Sequence, residues 1–183
     1  MENRRDEIME KDDSGTASAT MPGATESMAG KYLTFGLGEG VYGLRILKVQ
    51  EIIGLINVTK VPRTPEYVRG VINLRGKVIP VMDLRQKFGM ESKEDTNRTC
   101  IIVVQVAWEH DEITMGILVD EVSEVVDIGA DQIEDTPSFG VSVDTDFILG
   151  MGKVGDRVIM LLDSDKVLSG EELELSSQIA DQV

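Results

Sequence analysis

The sequence has few of the side chains on which catalytic and metal sites usually depend. Its 183 residues include one cysteine and one histidine. A single cysteine excludes an internal disulfide and is typical of a reducing compartment. His110 lies among acids in WEHDE, and Cys100 lies in the most apolar strand candidate, so we predict a surface histidine and a buried, inert thiol. With no second histidine for a metal cluster, we predict that the chain is not an enzyme and holds no metal ion and no cofactor.

Basic and aromatic residues are also scarce. Lys and Arg number 18 against 33 Asp and Glu, which gives a formal net charge of -15, and aromatic residues make up 4% of the chain. Proteins that bind nucleic acid need a basic surface, and those that bind single strands stack bases on aromatic rings. We therefore predict no nucleic-acid partner.

Long hydrophobic runs are missing as well. Apolar runs such as IIVV at 101–104 are far shorter than the roughly 20 residues of a membrane span. The N-terminus is acidic and has no apolar signal region. We expect no secretion and no direct membrane insertion, and therefore a cytoplasmic protein.

The charge is distributed unevenly along the chain. Residues 57–88 hold seven Lys or Arg and two Asp or Glu, a local net charge of +5, whereas residues 109–146 hold twelve Asp or Glu and no Lys or Arg, a local net charge of -12. One interpretation is a solvated acidic face with scattered lysines. The other is a pair of oppositely charged faces, each for a different partner.

Composition divides the chain into a folded part and two tails. Residues 1–30 are polar, acidic and without a lasting period, which predicts a disordered N-terminal tail. Alternating apolar residues begin at Lys31 and continue to about residue 169. Residues 170–183 are predicted to form an acidic C-terminal tail or a weak helix. GEGVYG at 38–43 matches G-x-G-x-x-G, but an alternating strand follows it instead of the required helix, which disfavours nucleotide binding.

Two similar hairpins occur in the folded part. In RGVINLRGKVIPVMDL, residues 69–84, two apolar strands meet at Arg75-Gly76, where glycine supplies the positive φ of a tight turn. LGMGKVGDRVIMLLD, residues 149–163, has the same pattern and turns at Gly155-Asp156. The first turn carries an arginine at its tip, and the second does not.

The hairpins belong to a longer internal repeat. Residues 43–53 match residues 116–126 at an offset of 73, and residues 70–84 match residues 150–164 at an offset of 80. The pattern predicts an all-β fold with short helices, made of two small five-stranded, barrel-like subdomains packed on a shared apolar seam. We place the first at approximately 35–98 and the second at 99–165, and we leave open an exchange of strands between them. A seam between similar halves is a natural place for a groove.

Three segments resemble the chemotaxis coupling protein family, CheW. They are YGLRILKVQEII at 42–53, TPEYVRGVINLRGKVIPVMDLR at 64–85 and GILVDEVSEVV at 116–126, and the resemblance spans residues 31–169. It implies a non-enzymatic adaptor that links the cytoplasmic tips of methyl-accepting chemotaxis receptors to the C-terminal regulatory domain of the histidine kinase CheA. It also implies recruitment to membrane-associated receptor arrays, with the receptor helices in the groove between the barrels.

The resemblance assigns receptor binding to Val49, Glu51, Arg75 and Val125. It assigns the shaping of the first hairpin to two glycines, Gly70 and Gly76. The structural alternative for the two valines is plain core. For Glu51 and Arg75 it is a surface ion pair, which contributes little stability.

Three other functions compete with the adaptor. The first is a generic peptide-binding double-barrel scaffold that serves an unrelated signalling pathway. The second is a small enzyme, which needs titratable groups that converge in a pocket. The third is a binder of single-stranded nucleic acid, which the charge and the few aromatics disfavour.

Overall fold

The computed structural model describes residues 27–137 and 146–167. The predicted N-terminal tail lies outside these ranges up to residue 26, and the predicted C-terminal tail, 170–183, lies outside them completely. In chain order the strands are β1 Gly30–Leu37, β2 Gly40–Arg45, β3 Val49–Gly54, β4 Val68–Leu74, β5 Lys77–Asp83, β6 Cys100–Trp108, β7 Asp111–Val119, β8 Glu121–Ile128, β9 Ile133–Glu134, β10 Ile148–Val154 and β11 Arg157–Leu162. The helices are short: 3-10 turns at Ile46–Lys48 and Ala130–Gln132, α1 at Leu84–Lys87 and α2 at Ser164–Val167.

The strands form two sheets, which confirms the predicted all-β class with short helices. Sheet 1 has the order β9-β10-β11-β2-β1-β8, and sheet 2 has the order β3-β6-β7-β5-β4. Sheet 2 has the predicted five strands, whereas sheet 1 has a sixth, β9, which is two residues long. Each sheet contains one parallel pair, β2 with β11 and β5 with β7, and its other neighbours are antiparallel.

Each sheet takes strands from both sides of the predicted boundary between residues 98 and 99. Sheet 1 combines β1 and β2 with β8 to β11, and sheet 2 combines β3 to β5 with β6 and β7. The chain therefore crosses between the sheets twice, once after β2 and once after β7. The ranges 35–98 and 99–165 as bounds of separate subdomains stay a prediction.

The internal repeat is present in the strand pairing. In sheet 1 Gly43 lies opposite Leu161 in the parallel pair, and in sheet 2 Gly116 lies opposite Val81. Gly43 corresponds to Gly116 at the offset of 73, and Val81 corresponds to Leu161 at the offset of 80, so the two pairs are equivalent. The two sheets are thus built from equivalent strands in equivalent registers, and each parallel pair joins one strand from each copy.

The extra strand of sheet 1 also has an equivalent in sheet 2. Glu134 of β9 pairs with Met151, and the isolated bridge between Thr59 and Val71 occupies the matching place beside β4. Thr59 and Val71 exchange two backbone hydrogen bonds of 2.8 Å. The two sheets therefore have the same topology. They differ in strand number because the pairing beside β10 extends over two residues, whereas the pairing beside β4 is a single bridge.

The core has one shared part and two inner parts, and β6 contributes to two of them. Ile102 and Val104 of β6 point into the core shared by both sheets, and Ile101 and Val103 point into the inner core of sheet 2; all four are fully buried. The predicted shared apolar seam is thus confirmed. The shared core includes Leu33, Phe35, Leu44, Met82, Ile102, Val104, Met115, Ile117 and Leu162, the sheet 2 core Ile72, Ile79, Val81, Ile101, Val103 and Leu118, and the sheet 1 core Tyr32, Ile128, Ile133, Ile159 and Leu161.

Gly70 lies where two backbone segments approach closely. Its φ is +145°, and a β-carbon added there would lie 2.2 Å from the carbonyl oxygen of Thr59. No side chain fits this gap unless the Thr59 bridge moves. Gly70 therefore lies at the bulge of β4, well before the turn, while Gly76 with φ +86° lies in the turn itself.

We expect Gly70→Ala to lower the free energy of unfolding by about 2–4 kcal/mol, because the new methyl group adds backbone strain to a steric clash. The matched control is Gly54→Ala at the end of β3, where an added β-carbon meets nothing within 4 Å. It should cost less than about 1 kcal/mol. Urea denaturation measures both variants, and equal losses would contradict a shaping role for Gly70.

Candidate partner-binding site

The tip of the first hairpin combines an unusual backbone conformation with an exposed cation. Arg75 has a φ of +54° and Gly76 a φ of +86°. The side chain of Asn73 supports this turn, because its Oδ1 accepts a 2.8 Å hydrogen bond from the Gly76 N–H. A left-handed conformation costs a non-glycine residue about 1 kcal/mol, so this hairpin holds arginine at some cost in stability.

Arg75 forms an ion pair with Glu51 of β3. Both terminal nitrogens of the guanidinium contact the carboxylate, with Nη1 3.2 Å from Oε2. The hydrogen bond from Arg75 lowers the pKa of Glu51, and the same contact raises the pKa of Arg75. Because β3 and β4 are the two end strands of sheet 2, the pair connects the β4–β5 turn to the opposite end of a curled sheet.

Sheet 1 has an equivalent connection that the sequence analysis missed. Glu124 of β8 corresponds to Glu51 at the offset of 73, and it pairs with Arg157 of β11 at 3.5 Å. The position that corresponds to Arg75 is Gly155, with φ +61°. The second hairpin therefore places its arginine two residues later, on the strand. Comparison of the turn tips alone could not find it, but the repeated glutamate was a usable signal.

The predicted valines occupy the edges of the shared core. Val49 is half-buried and packs against that core. Val125 is 48% exposed and lies opposite Leu33, a buried member of the same core. Since paired residues on neighbouring strands project from the same face of a sheet, Val125 extends the apolar face of sheet 1 to its exposed edge strand.

The equivalent edge of sheet 2 carries Ile52, which the sequence analysis did not single out. Ile52 corresponds to Val125 at the offset of 73, is 43% exposed and lies opposite the buried Ile102. Each edge strand thus exposes one aliphatic side chain beside the shared core. Of the four predicted receptor-binding residues, the structure brings Glu51 and Arg75 into contact, sets Val49 on the same strand as Glu51, and places Val125 on the other sheet.

The described residues contain no candidate metal centre, and they place His110 at the surface and Cys100 in the core, as predicted. No group of three or more His, Cys, Asp or Glu in these ranges could hold a metal ion. His110 is exposed, and Cys100 is 8% exposed, with its thiol pKa raised by burial. A depression of about 490 Å³ lined by Glu39, Arg85 and Met90, among others, includes none of the predicted site residues.

No helix within residues 27–137 and 146–167 is long and apolar enough to cross a membrane. The described residues do present an exposed surface at the edges of the two sheets. It combines exposed aliphatic side chains at two sheet edges with an accessible, forked cation.

Comparisons with known proteins identify the family of the chain. The family described as CheW-like domain matches residues 31–172. A chemotaxis protein CheW from Klebsiella aerogenes is 40% identical over 157 residues, which cover 86% of this chain and 92% of the relative. A chemotaxis protein CheW from Rhizobium meliloti is 36% identical, over 78% of this chain and 89% of the relative.

The crystal structure of the scaffolding protein TtCheW from Thermoanaerobacter tengcongensis is similar in fold and in sequence. It has a TM-score of 0.69 and 36% identity, and the match covers 79% of this chain and 97% of TtCheW. The match of the family to residues 31–172 covers most of the sequence and includes both sheets. The chain therefore belongs to the CheW-like family.

Proposed function

We propose that the chain is an adaptor that couples methyl-accepting chemotaxis receptors to the histidine kinase CheA. Its family relatives are named chemotaxis and scaffolding proteins, and membership of this family confirms the prediction that it is not an enzyme. The observation that carries the proposal is the pair of edge strands, β3 and β8, which expose aliphatic side chains beside one shared core.

In this proposal the receptor's helical hairpin lies along the apolar edges of the two sheets. A helix that binds in a groove presents anchors about one turn apart on one face. Val49 and Ile52 offer an apolar surface on sheet 2, and Val125 offers one on sheet 1. These side chains bury area on binding, which supplies the main driving force.

Arg75 has a separate role in the proposal. Its side chain is 71% exposed, and an exposed ion pair contributes little stability because water solvates both partners. The guanidinium can therefore turn from Glu51 to a carboxylate or carbonyl of the receptor at small cost. Its planar fork makes two parallel hydrogen bonds to such a group, which fixes the orientation of the receptor.

The kinase would bind elsewhere on the surface through its C-terminal regulatory domain. Simultaneous binding of receptor and kinase would place the chain in the cytoplasm at membrane-associated receptor arrays. The high negative net charge of -15 fits a protein that meets proteins and no nucleic acid.

Reconstitution tests the proposed function. In a mixture of receptor signalling fragments and CheA, we expect kinase autophosphorylation to respond to receptor signalling state only after the chain is added. The readout is phosphate incorporation with and without the chain. If the chain binds receptor fragments but not the kinase's C-terminal domain, the generic peptide-binding scaffold is the better description.

Arg75→Ala should weaken binding to a receptor signalling-tip fragment about 5- to 30-fold, because an interface arginine carries more binding energy than most contact residues. The matched control is Arg157→Ala, which removes the equivalent cation from the second hairpin. It should change the affinity less than about twofold. Titration calorimetry measures both, and equal effects of the two substitutions would remove Arg75 from the receptor site.

The same pair of variants tests the ion pair in the free protein. The pKa of Glu51 is lowered by its hydrogen bond from Arg75, so Arg75→Ala should raise this pKa toward its usual range, while Arg157→Ala leaves it unchanged. The folded pKa lies below the unfolded one, so the pair contributes stability above the unfolded pKa and loses it as the pH falls through the folded pKa. Carboxyl NMR titration measures the pKa, and no rise in Arg75→Ala would mean that the ion pair is absent in solution.

A further inference from the structure

The chain crosses between its two sheets at two places, and an ion pair marks each crossing. The first crossing is the 3-10 turn Ile46–Lys48 between β2 and β3, where Lys48 pairs with Asp165 of α2 at 3.2 Å. The second crossing is Asp120 between β7 and β8, where Asp120 pairs with Arg85 of α1. Helices α1 and α2 hold equivalent positions in the repeat, since Arg85 and Asp165 are 80 residues apart.

The two ion pairs have opposite polarity. At the first crossing the cation is on the crossing and the carboxylate is on the helix, and at the second crossing the assignment is reversed. Both carboxylates also accept a backbone hydrogen bond: Asp165 Oδ1 from the Ala107 N–H at 2.9 Å, and Asp120 Oδ2 from the Gly38 N–H at 2.8 Å.

These two backbone donors occupy equivalent positions in the two sheets. Thr34 lies opposite Gly43 in sheet 1, and Val103 lies opposite Gly116 in sheet 2. The two glycines are equivalent in the repeat, so β1 maps onto β6 with an offset of 69. That offset carries residue 38 onto residue 107. One carboxylate position is therefore kept at both crossings, although different elements supply it.

The second pair, Arg85 with Asp120, is more deeply buried than the first pair, Lys48 with Asp165. The Arg85 and Asp120 side chains are 11% and 13% exposed, against 30% and 33% for Lys48 and Asp165. The Arg85 Nε is buried and has no hydrogen-bond partner, and a cavity of about 10 Å³ adjoins the side chain. A buried ion pair is a weak source of net stability, but loss of one partner is costly because the other charge stays buried and unpaired.

The two ion pairs lie where the candidate partner-binding edges begin. Val49 directly follows Lys48 and begins β3, and β8 begins directly after Asp120 and carries Val125. Each ion pair thus fixes the start of an edge strand against the helix that ends the other copy's hairpin. A crossing that shifted would move the start of its edge strand and so change the separation of the two apolar edges.

We propose that Lys48 with Asp165, and Arg85 with Asp120, are positioning pairs that set the two edge strands for partner binding, and that either polarity serves at either crossing. The inference rests on the proposed function for the identity of the partner. It assigns a role to four residues outside the predicted receptor site, and it predicts that a pair can be exchanged as a unit although neither member can be lost.

Three variants of the full chain test the proposal at the second crossing: Asp120→Asn, Arg85→Met, and the double exchange Arg85→Asp with Asp120→Lys, which gives this crossing the residue types of the first. Each single variant should raise the Kd for a receptor signalling-tip fragment about tenfold. The double exchange should restore the Kd to within about threefold of the unaltered chain.

Amide hydrogen exchange of Gly38 supplies a readout that does not depend on the partner. Its N–H should exchange faster in Asp120→Asn, because a neutral amide oxygen accepts a weaker hydrogen bond than a carboxylate does. It should slow again in the double exchange, because the carboxylate introduced by Arg85→Asp can accept this hydrogen bond in the way that Asp165 accepts one from Ala107. The control is Lys153→Met, which breaks the exposed pair of Lys153 with Glu134 at 3.0 Å and should change neither readout.

The outcomes separate this inference from the proposed function. If the folded Asp120→Asn variant binds like the unaltered chain, or if the folded double exchange stays as weak as the single variants, the positioning role is wrong. Failure of the unaltered chain to bind the fragment would overturn the proposed function and the positioning role together. If the second-crossing variants do not fold, the more exposed pair of Lys48 and Asp165 at the first crossing supplies the test. Lys48→Met should then weaken binding of the fragment, and the double exchange Lys48→Asp with Asp165→Lys should restore it.

Discussion

The structure depends on one strand that is buried on both faces. β6 runs through the middle of the chain, and its alternate side chains enter the shared core and the inner core of sheet 2. An apolar strand of this kind must be covered on both sides, because each uncovered aliphatic side chain forfeits about 1.5–3 kcal/mol of burial energy. Sheet 1 supplies the cover on one face, and the curl of sheet 2 supplies it on the other. The two sheets therefore share one core and pack as a unit. The chain passes between them twice, after β2 and after β7.

This arrangement leaves two edge strands, β3 and β8, beside the shared core, and the features we connect with binding lie on them. Edge strands with exposed backbone and aliphatic side chains invite unwanted pairing. Here the glutamates Glu51 and Glu124, each paired with a hairpin arginine, limit that risk. The same strands begin at the two crossings, so the elements that determine the fold also determine the separation of the proposed binding edges. The residues at the two crossings therefore affect both the fold and the proposed binding of partners.

The hairpins, the repeat and the shared apolar seam could be predicted from the sequence, but the pairing of particular strands and side chains across the fold could not. Period-2 alternation and the Gly76 turn identify the hairpins, and the offsets of 73 and 80 identify the repeat. The sequence does not say which copy supplies the partner of a strand, because either choice buries the same apolar faces; the exchange of strands follows from the pairing of β2 with β11. Arg85 and Asp120 are 35 residues apart and carry no pattern that would connect them. Ile52 was missed because the resemblance pointed to its neighbours on β3, whose receptor role stays a prediction.

The exchange of strands has a consequence for the ancestry of such a chain. If an ancestral gene was duplicated and fused, the two copies could at first have folded side by side. Once each parallel pair drew one strand from each copy, neither half could be deleted or split off without opening both sheets, so the fusion became irreversible. A later change in one half that touched a shared sheet would then have needed a matching change in the other half.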